Sequence, residues 1–252
     1  MILDVWKECK GKVNIRTINE TAWRMVESQE KISTRKLVDS IEEQKVLDGI
    51  IEESKLDVSA SQTAFHPFLY DQFSYPPLKY GSRFGKKTEP SLWYGSLSAE
   101  TTMVEKAFYR FALIDASVGD FGMVSSLMTL FSVRLKITNG ARLNESPFNK
   151  YKNQISSPTN YEVSQLLGAR MRANDLDGFT FVSARDKNMG INVGLLKLSA
   201  FANKHPDAGS FQTWQCNTTK RNVEFTNSIN DDVFVFPVDA FQIEGRLPFP
   251  AV

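Results

Sequence analysis

Histidine and cysteine are scarce in this chain, with two of each among 252 residues. Cys9 and Cys216 lie far apart and in no metal-like spacing, so neither a disulfide scaffold nor a zinc site is read from them. His66 and His205 are equally isolated. A metal site would have to lean on carboxylates, and no clustered set stands out, so no metal is expected. Charge of one sign is not in surplus either. Thirty basic and 29 acidic side chains leave a formal net charge of +1, without the basic excess of nucleic-acid binders, and no direct nucleic-acid binding is expected. Apolar runs fall short of the roughly 18 residues a membrane span requires, and Met1 to Val13 lacks a basic segment leading into an apolar one. A soluble protein of the reducing cytoplasm is the expectation. Internal repeats, low-complexity tracts, phosphate-cradling loops, dinucleotide fingerprints, HExxH helices and GxSxG elbows are missing as well.

What is present is an ordinary globular composition, 42% hydrophobic, with 18 phenylalanines that point to a core rich in flat rings. The length supports one large domain, or one domain with an extension. Leu37, Val38, Ile41, Leu47, Ile50 and Ile51 recur at helical spacing, which predicts a helix from about Thr34 to Glu53 with Ser33 or Thr34 as its N-cap. From Asp57 that periodicity fades, and Tyr75-Pro76-Pro77 marks a junction. Residues 1–75 are therefore expected to form a mostly helical extension and residues 76–252 the main domain, the two packing as one compact unit.

Beyond the junction strands dominate. Ser91–Leu97 reads as a buried strand, and Ser98 as the N-cap of a helix running to about Phe111. Phe131, Val133, Leu135 and Ile137 alternate with polar residues as a half-buried strand does. Thr159 and Glu162 have capping-box spacing ahead of a helix carrying Val163, Leu166, Leu167 and Met171. Further strands are expected at Phe179–Ser183, Val193–Phe201, Phe211–Asn217, Asn222–Thr226 and Val233–Phe236. Strands outnumber helices without alternating with them, which argues for an α+β fold with mainly antiparallel strands and packed helices.

A constellation of polar residues remains: Gly81-Ser82-Arg83-Phe84, Trp93-Tyr94, Glu105, Asp177-Gly178 and Ser183-Ala184-Arg185. Glu105 follows Met103 and Val104 and precedes Ala107 and Phe108, so its carboxylate sits beside an apolar helix face and needs a partner. Arg83 is the natural candidate. From spacing alone, an ordinary ion pair or a solvated glutamate is the simpler explanation of the pattern.

The stretch from Gly81 to Phe111 resembles the signature of the RES-domain family. In that family a Gly-x-Arg-aromatic step leads to a strand ending in tyrosine, then to a helix that carries a glutamate. The corresponding residues are Gly81-Ser82-Arg83-Phe84, Leu92-Trp93-Tyr94 and Glu100-Thr101-Thr102-Met103-Val104-Glu105. Leu176-Asp177-Gly178-Phe179 running to Val182-Ser183-Ala184-Arg185 resembles the family's aspartate-glycine strand ending in serine, and Trp23-Arg24-Met25-Val26 resembles the upstream region of longer members. The loop Gly85-Lys86-Lys87-Thr88-Glu89-Pro90 departs from the Asn-Pro-x-Gly-like turn of many relatives.

The resemblance implies an ADP-ribosyltransferase-like core and a bacterial-type toxin that degrades NAD⁺ by hydrolysis or phosphorolysis. It also implies an Xre-type helix-turn-helix antitoxin as partner. NAD⁺ is then substrate, and no prosthetic group is expected. Transfer of ADP-ribose to a protein, or a non-catalytic module that binds a nucleotide or a partner, are the alternatives. A homo-oligomer is compatible with the sequence. In this reading Arg83 takes the pyrophosphate through its guanidinium fork, with Arg185 as a second phosphate contact or a solvated side chain. Tyr94 stacks on the cationic nicotinamide or is sheet core. Glu105 faces the positive charge that develops on the ribose. Ser183 bonds a ribose hydroxyl or phosphate oxygen, or is simply a strand-end residue.

Overall fold

Alternating apolar residues set the centre of the molecule. Phe131, Val133, Leu135 and Ile137 are all buried on β3 (Val124–Arg142), a 19-residue strand much longer than the alternation alone marks out. The computed structural model describes residues 2–28, 62–75, 81–117, 122–227 and 229–248, together with a few positions between 40 and 49. Within them, β1 (Arg16–Glu27) pairs antiparallel with β3 from Arg16 opposite Gly140 to Glu27 opposite Met128. The chain then adds β2 (Trp93–Ser96), β4 (Gly178–Val182) and β5 (Ile191–Leu195). The sheet order β1-β2-β5-β4-β3, with β1 also joined to β3, closes these five strands into a ring. Along the edge of β3 that also takes β4, but from the start of the strand, β6 (Gln212–Thr218), β7 (Asn222–Asn227) and β8 (Asp232–Pro237) run on as an antiparallel meander. Only the pairing of β3 with β4 is parallel among the described residues, so the α+β, mainly antiparallel architecture stands.

Helices pack on this frame: α1 (Val5–Glu8), α2 (Pro67–Ser74), α3 (Ala99–Asp115), α4 (Lys152–Ile155) and α5 (Glu162–Ala173). The interior is rich in rings, with Trp93, Phe84, Phe111, Phe131, Phe148, Phe179 and Phe225 fully buried. Ser98 caps α3 as its position implies, its Oγ accepting the Thr101 N–H at 3.1 Å. Among the described residues no helix is long and apolar enough to cross a membrane.

Four local expectations need correction or fall outside view. The first 75 residues are not helical throughout, because residues 16–27 form β1. Their buried positions, Ile18, Ala22 and Met25, do not alternate, and the long-range ladder to β3 decides the conformation. The strand expected over Val193–Phe201 stops at Leu195 and gives way to a 3₁₀ turn at Leu198–Ala200. Thr159 does not cap α5; Asn160 Oδ1 accepts the Glu162 N–H at 2.8 Å instead. Most of the helix expected from Thr34 to Glu53 lies outside the described residues.

Candidate active site

A cavity of about 350 Å³ opens where β1, β2, β5 and α3 meet the loop around Arg83. The sequence dictates that loop's shape. Ser82 and Gly85 exchange backbone hydrogen bonds at 2.7 and 3.3 Å, putting Arg83 and Phe84 at the tip of a tight turn. Gly81 enters it with φ +71°, and a Cβ there would stand 2.3 Å from the Gly85 carbonyl oxygen, so only glycine fits. Phe84 is driven into the core against Phe179 and Phe181, with ring centroids 4.5 and 4.8 Å away. That anchor leaves Arg83 lining the cavity.

Arg83 does not pair with Glu105. Its Nη1 donates to the Ser157 carbonyl at 2.6 Å, and its guanidinium lies 4.4 Å from the centroid of the Tyr161 ring. The partners of Glu105 are neutral. Ser183 Oγ donates to Oε1 at 2.6 Å and Asn192 Nδ2 to the same oxygen at 2.5 Å. No hydrogen bond among the described residues reaches Oε2. The ion-pair expectation fails because the tip of the turn directs the guanidinium toward the segment before α5, while Ser183 and Asn192 arrive from β4 and β5 directly under α3.

Both donors are themselves fixed. Ser96 Oγ on β2 donates to Asn192 Oδ1 at 2.7 Å within the sheet, which orients the amide so that its N–H₂ faces the carboxylate. Ser183 Oγ accepts the backbone N–H groups of Arg185 and Asp186 at 3.1 and 3.0 Å, which points its single O–H at Glu105. Both serines and Asn192 are buried, and Glu105 lines the cavity. A carboxylate so held cannot swing away from whatever enters.

The other expected residues take distinct places. Tyr94 lines the cavity, but its hydroxyl is committed to the Arg83 turn, 3.0 Å from Ser82 Oγ and accepting the Phe84 N–H at 3.3 Å. Burial pushes its phenol up to about 12, although the bonds to Ser82 and Phe84 pull the other way. Ser183 is not among the lining residues; it stands behind Glu105. Arg185 does line the cavity and is only 7% exposed. Its guanidinium lies 3.6 Å from the Phe108 ring centroid, Nη2 donates to the Pro158 carbonyl at 3.1 Å, and Nη1 is buried without a partner. Asp177 is structural, accepting the Asn139 N–H at 3.0 Å and pairing with Lys197 at 3.0 Å.

Sequence reasoning missed Asn192, Ser96, Arg24 and Lys106. Asn192 carried one usable signal, a polar amide between Ile191 and Val193 in a strand buried on both sides. In total, Arg24, Arg83, Lys86, Lys106 and Arg185 line the cavity with Glu89 and Glu105, a mainly cationic lining in which the Glu105 carboxylate is held rigidly.

With this geometry in place, the comparisons with known proteins identify the family. The RES domain model matches residues 22–217, most of the chain and every site residue named above. The chain belongs to the RES-domain family. No curated protein matches it by sequence. Among solved structures, a crystal structure of the M. tuberculosis MbcT–MbcA toxin–antitoxin complex is similar at 12% identity and a TM-score of 0.45, over 86% of this chain and 93% of that chain.

Proposed function

We propose that this RES-domain protein is an NAD⁺-consuming toxin that cleaves the nicotinamide–ribose bond and is restrained by an antitoxin of the Xre type. The observation that carries the reading is Glu105, a carboxylate held on one oxygen by Ser183 and Asn192 inside a cavity lined mainly by cations. NAD⁺ matches that charge pattern, with an anionic pyrophosphate and one cationic centre at the nicotinamide. Arg83 and the unsatisfied Nη1 of Arg185 suit the pyrophosphate. The ring of Tyr94 offers an apolar wall to the nicotinamide.

As the C–N bond breaks, nicotinamide leaves with the bonding pair and positive charge builds on the ribose. A carboxylate fixed in advance stabilises that charge without reorganising, which lowers the barrier more than it strengthens ground-state binding. The acceptor, water or phosphate, adds to the anomeric carbon and releases a proton. Ser183 acts through Glu105 and is a positioning residue.

The test is nicotinamide release from NAD⁺ by the pure protein, with and without phosphate. Glu105→Gln keeps the side chain's size and is expected to lower turnover by roughly 100-fold or more, with NAD⁺ affinity little changed. Arg83→Ala is expected to weaken binding chiefly, since a phosphate contact exists in ground and transition states alike. Wild-type turnover in a folded Glu105→Gln protein removes Glu105 from the chemistry. NAD⁺ binding without any nicotinamide release turns the site into a binding module.

A further inference from the structure

The cations around the cavity fall into two neighbourhoods. Arg185 feels the charges of Arg83 and Glu105. Lys106 feels those of Arg24, Arg110 and Glu27 instead. Local geometry explains the split. Helix α3 is pinned to β1 where Thr102 Oγ1 donates to the Trp23 carbonyl at 3.2 Å. Lys106 follows Thr102 by one turn, and Arg110 lies a further turn along the same face. Arg24, next to Trp23 on β1, is held by the Tyr94 carbonyl at 3.2 Å and by Gln72 Oε1 at 2.6 Å, with its guanidinium 5.1 Å from the Trp93 ring centroid.

Three cations thus gather on the β1 side of the cavity, and two of them, Arg24 and Lys106, line it. Arg24 is occupied by the bonds just described. Lys106 has no hydrogen bond or ion pair among the described residues. Arg110, just behind it, is only 6% exposed; its Nε donates to Thr218 Oγ1 at 3.1 Å, yet its Nη2 is buried with no partner. Burial, helped by the charges of Arg24 and Arg110, lowers Lys106 to about 8. Like charges crowded together out of water oppose folding; Glu27 offsets part of the charge at Lys106 and Asp71 part of that at Arg24. An anion entering the cavity would offset the rest.

We propose that Lys106, flanked by Arg24 and backed by Arg110, forms a second anion subsite in the cavity, shaped for a phosphoryl dianion and separate from the Arg83–Arg185 pair. A lysine ammonium is a compact point charge with three donors, suited to a tetrahedral dianion. What brings the phosphoryl group rests on the NAD⁺ reading of the same cavity. One source is free phosphate. Its oxygen would then bond to the anomeric carbon as the C–N bond breaks, nicotinamide leaving with the bonding pair and the hydrogen phosphate's proton going to solvent. The other source is the 2′-phosphate of a phosphorylated dinucleotide.

Calorimetric titration and thermal melting with inorganic phosphate, at constant ionic strength, test the subsite directly. Phosphate is expected to bind the wild-type protein and raise its Tm. Lys106→Met is expected to melt higher than wild type in phosphate-free buffer and to bind phosphate about tenfold more weakly or worse, the scale of a lost charge-assisted hydrogen bond. Lys106→Gln, which keeps a polar head, serves as the second variant and should show the same loss. A wild-type protein that does not respond to phosphate overturns the proposal, as does a response kept by Lys106→Met and lost by Arg83→Ala. Selective loss of NADP⁺ over NAD⁺ binding in Lys106→Met identifies the 2′-phosphate as occupant. Loss of phosphate-stimulated nicotinamide release identifies the free ion. Lys106-dependent phosphate binding in a protein that never releases nicotinamide upholds the subsite and removes the proposed reaction. Nicotinamide release with no phosphate response does the reverse.

Discussion

At the scale of single residues, the site depends on one amide as much as on its carboxylate. Asn192 accepts from Ser96 and donates to Glu105, so Asn192→Ala leaves the carboxylate held by Ser183 alone and strands a buried hydroxyl. Turnover is expected to fall about tenfold, with KM moving less, and stability to drop by about 1–3 kcal/mol, the cost of an unmet buried polar group. Steady-state kinetics beside a urea melt check both. A raised KM with kcat unchanged would mean that Asn192 shapes binding instead of orienting Glu105. Arg83, Tyr94, Glu105, Ser183 and Arg185 could be singled out in the sequence through the family resemblance, since type and spacing alone leave an ordinary ion pair, sheet core and a strand end open. Their partners could not. That Glu105 answers to Ser183 and Asn192 and not to Arg83 follows from how three strands converge under a helix, and a linear spacing carries no such information.

At the scale of elements, α2 gives a pH-dependent handle on the cavity. His66 caps this helix, its Nδ1 accepting the Phe68 N–H at 3.2 Å, and α2 carries the Gln72 that holds Arg24. Burial, with His205 nearby and against the opposing pull of Asp71, keeps the His66 imidazole below its ordinary value near 6.5. A depressed imidazole means that the unfolded chain takes up its proton first. The stabilisation is then complete above pH 6.5 and is lost as pH falls from there toward the lower folded-state value. Melting temperature is expected to decline over that acid window in wild type and to stay flatter in His66→Asn, which retains a capping oxygen without the titration. Parallel declines in the two proteins would place the acid sensitivity elsewhere. The helix itself was unmarked in the sequence, because eight residues opening on a proline carry too little periodicity. Helix α3 was plain, since Ser98 states its start and the apolar face recurs over four turns.

At the scale of the whole molecule, the class of fold could be read and the closure could not. Alternation in β3 and β6 to β8 declares a sheet, whereas β1 has no alternation to declare and is a strand only because β3 lies alongside it. The ring is completed by a single paired position between β1 and β2, Trp23 opposite Ser96. A chain cut at residue 190 retains Arg24, Arg83 and Glu105 but loses β5 and with it Asn192. Such a fragment is expected to melt without a cooperative transition and to release no nicotinamide; a cooperative, active fragment would show that β5 is dispensable to the site.

That dependence on β5 also sets a clock. Arg24 leaves the ribosome early, Glu105 midway and Asn192 late, and the carboxylate is not braced until the last of them has folded back between β2 and β4. A nascent chain therefore carries Arg24, Arg83 and Glu105 well before the site is whole, and the braced carboxylate is a late product of synthesis.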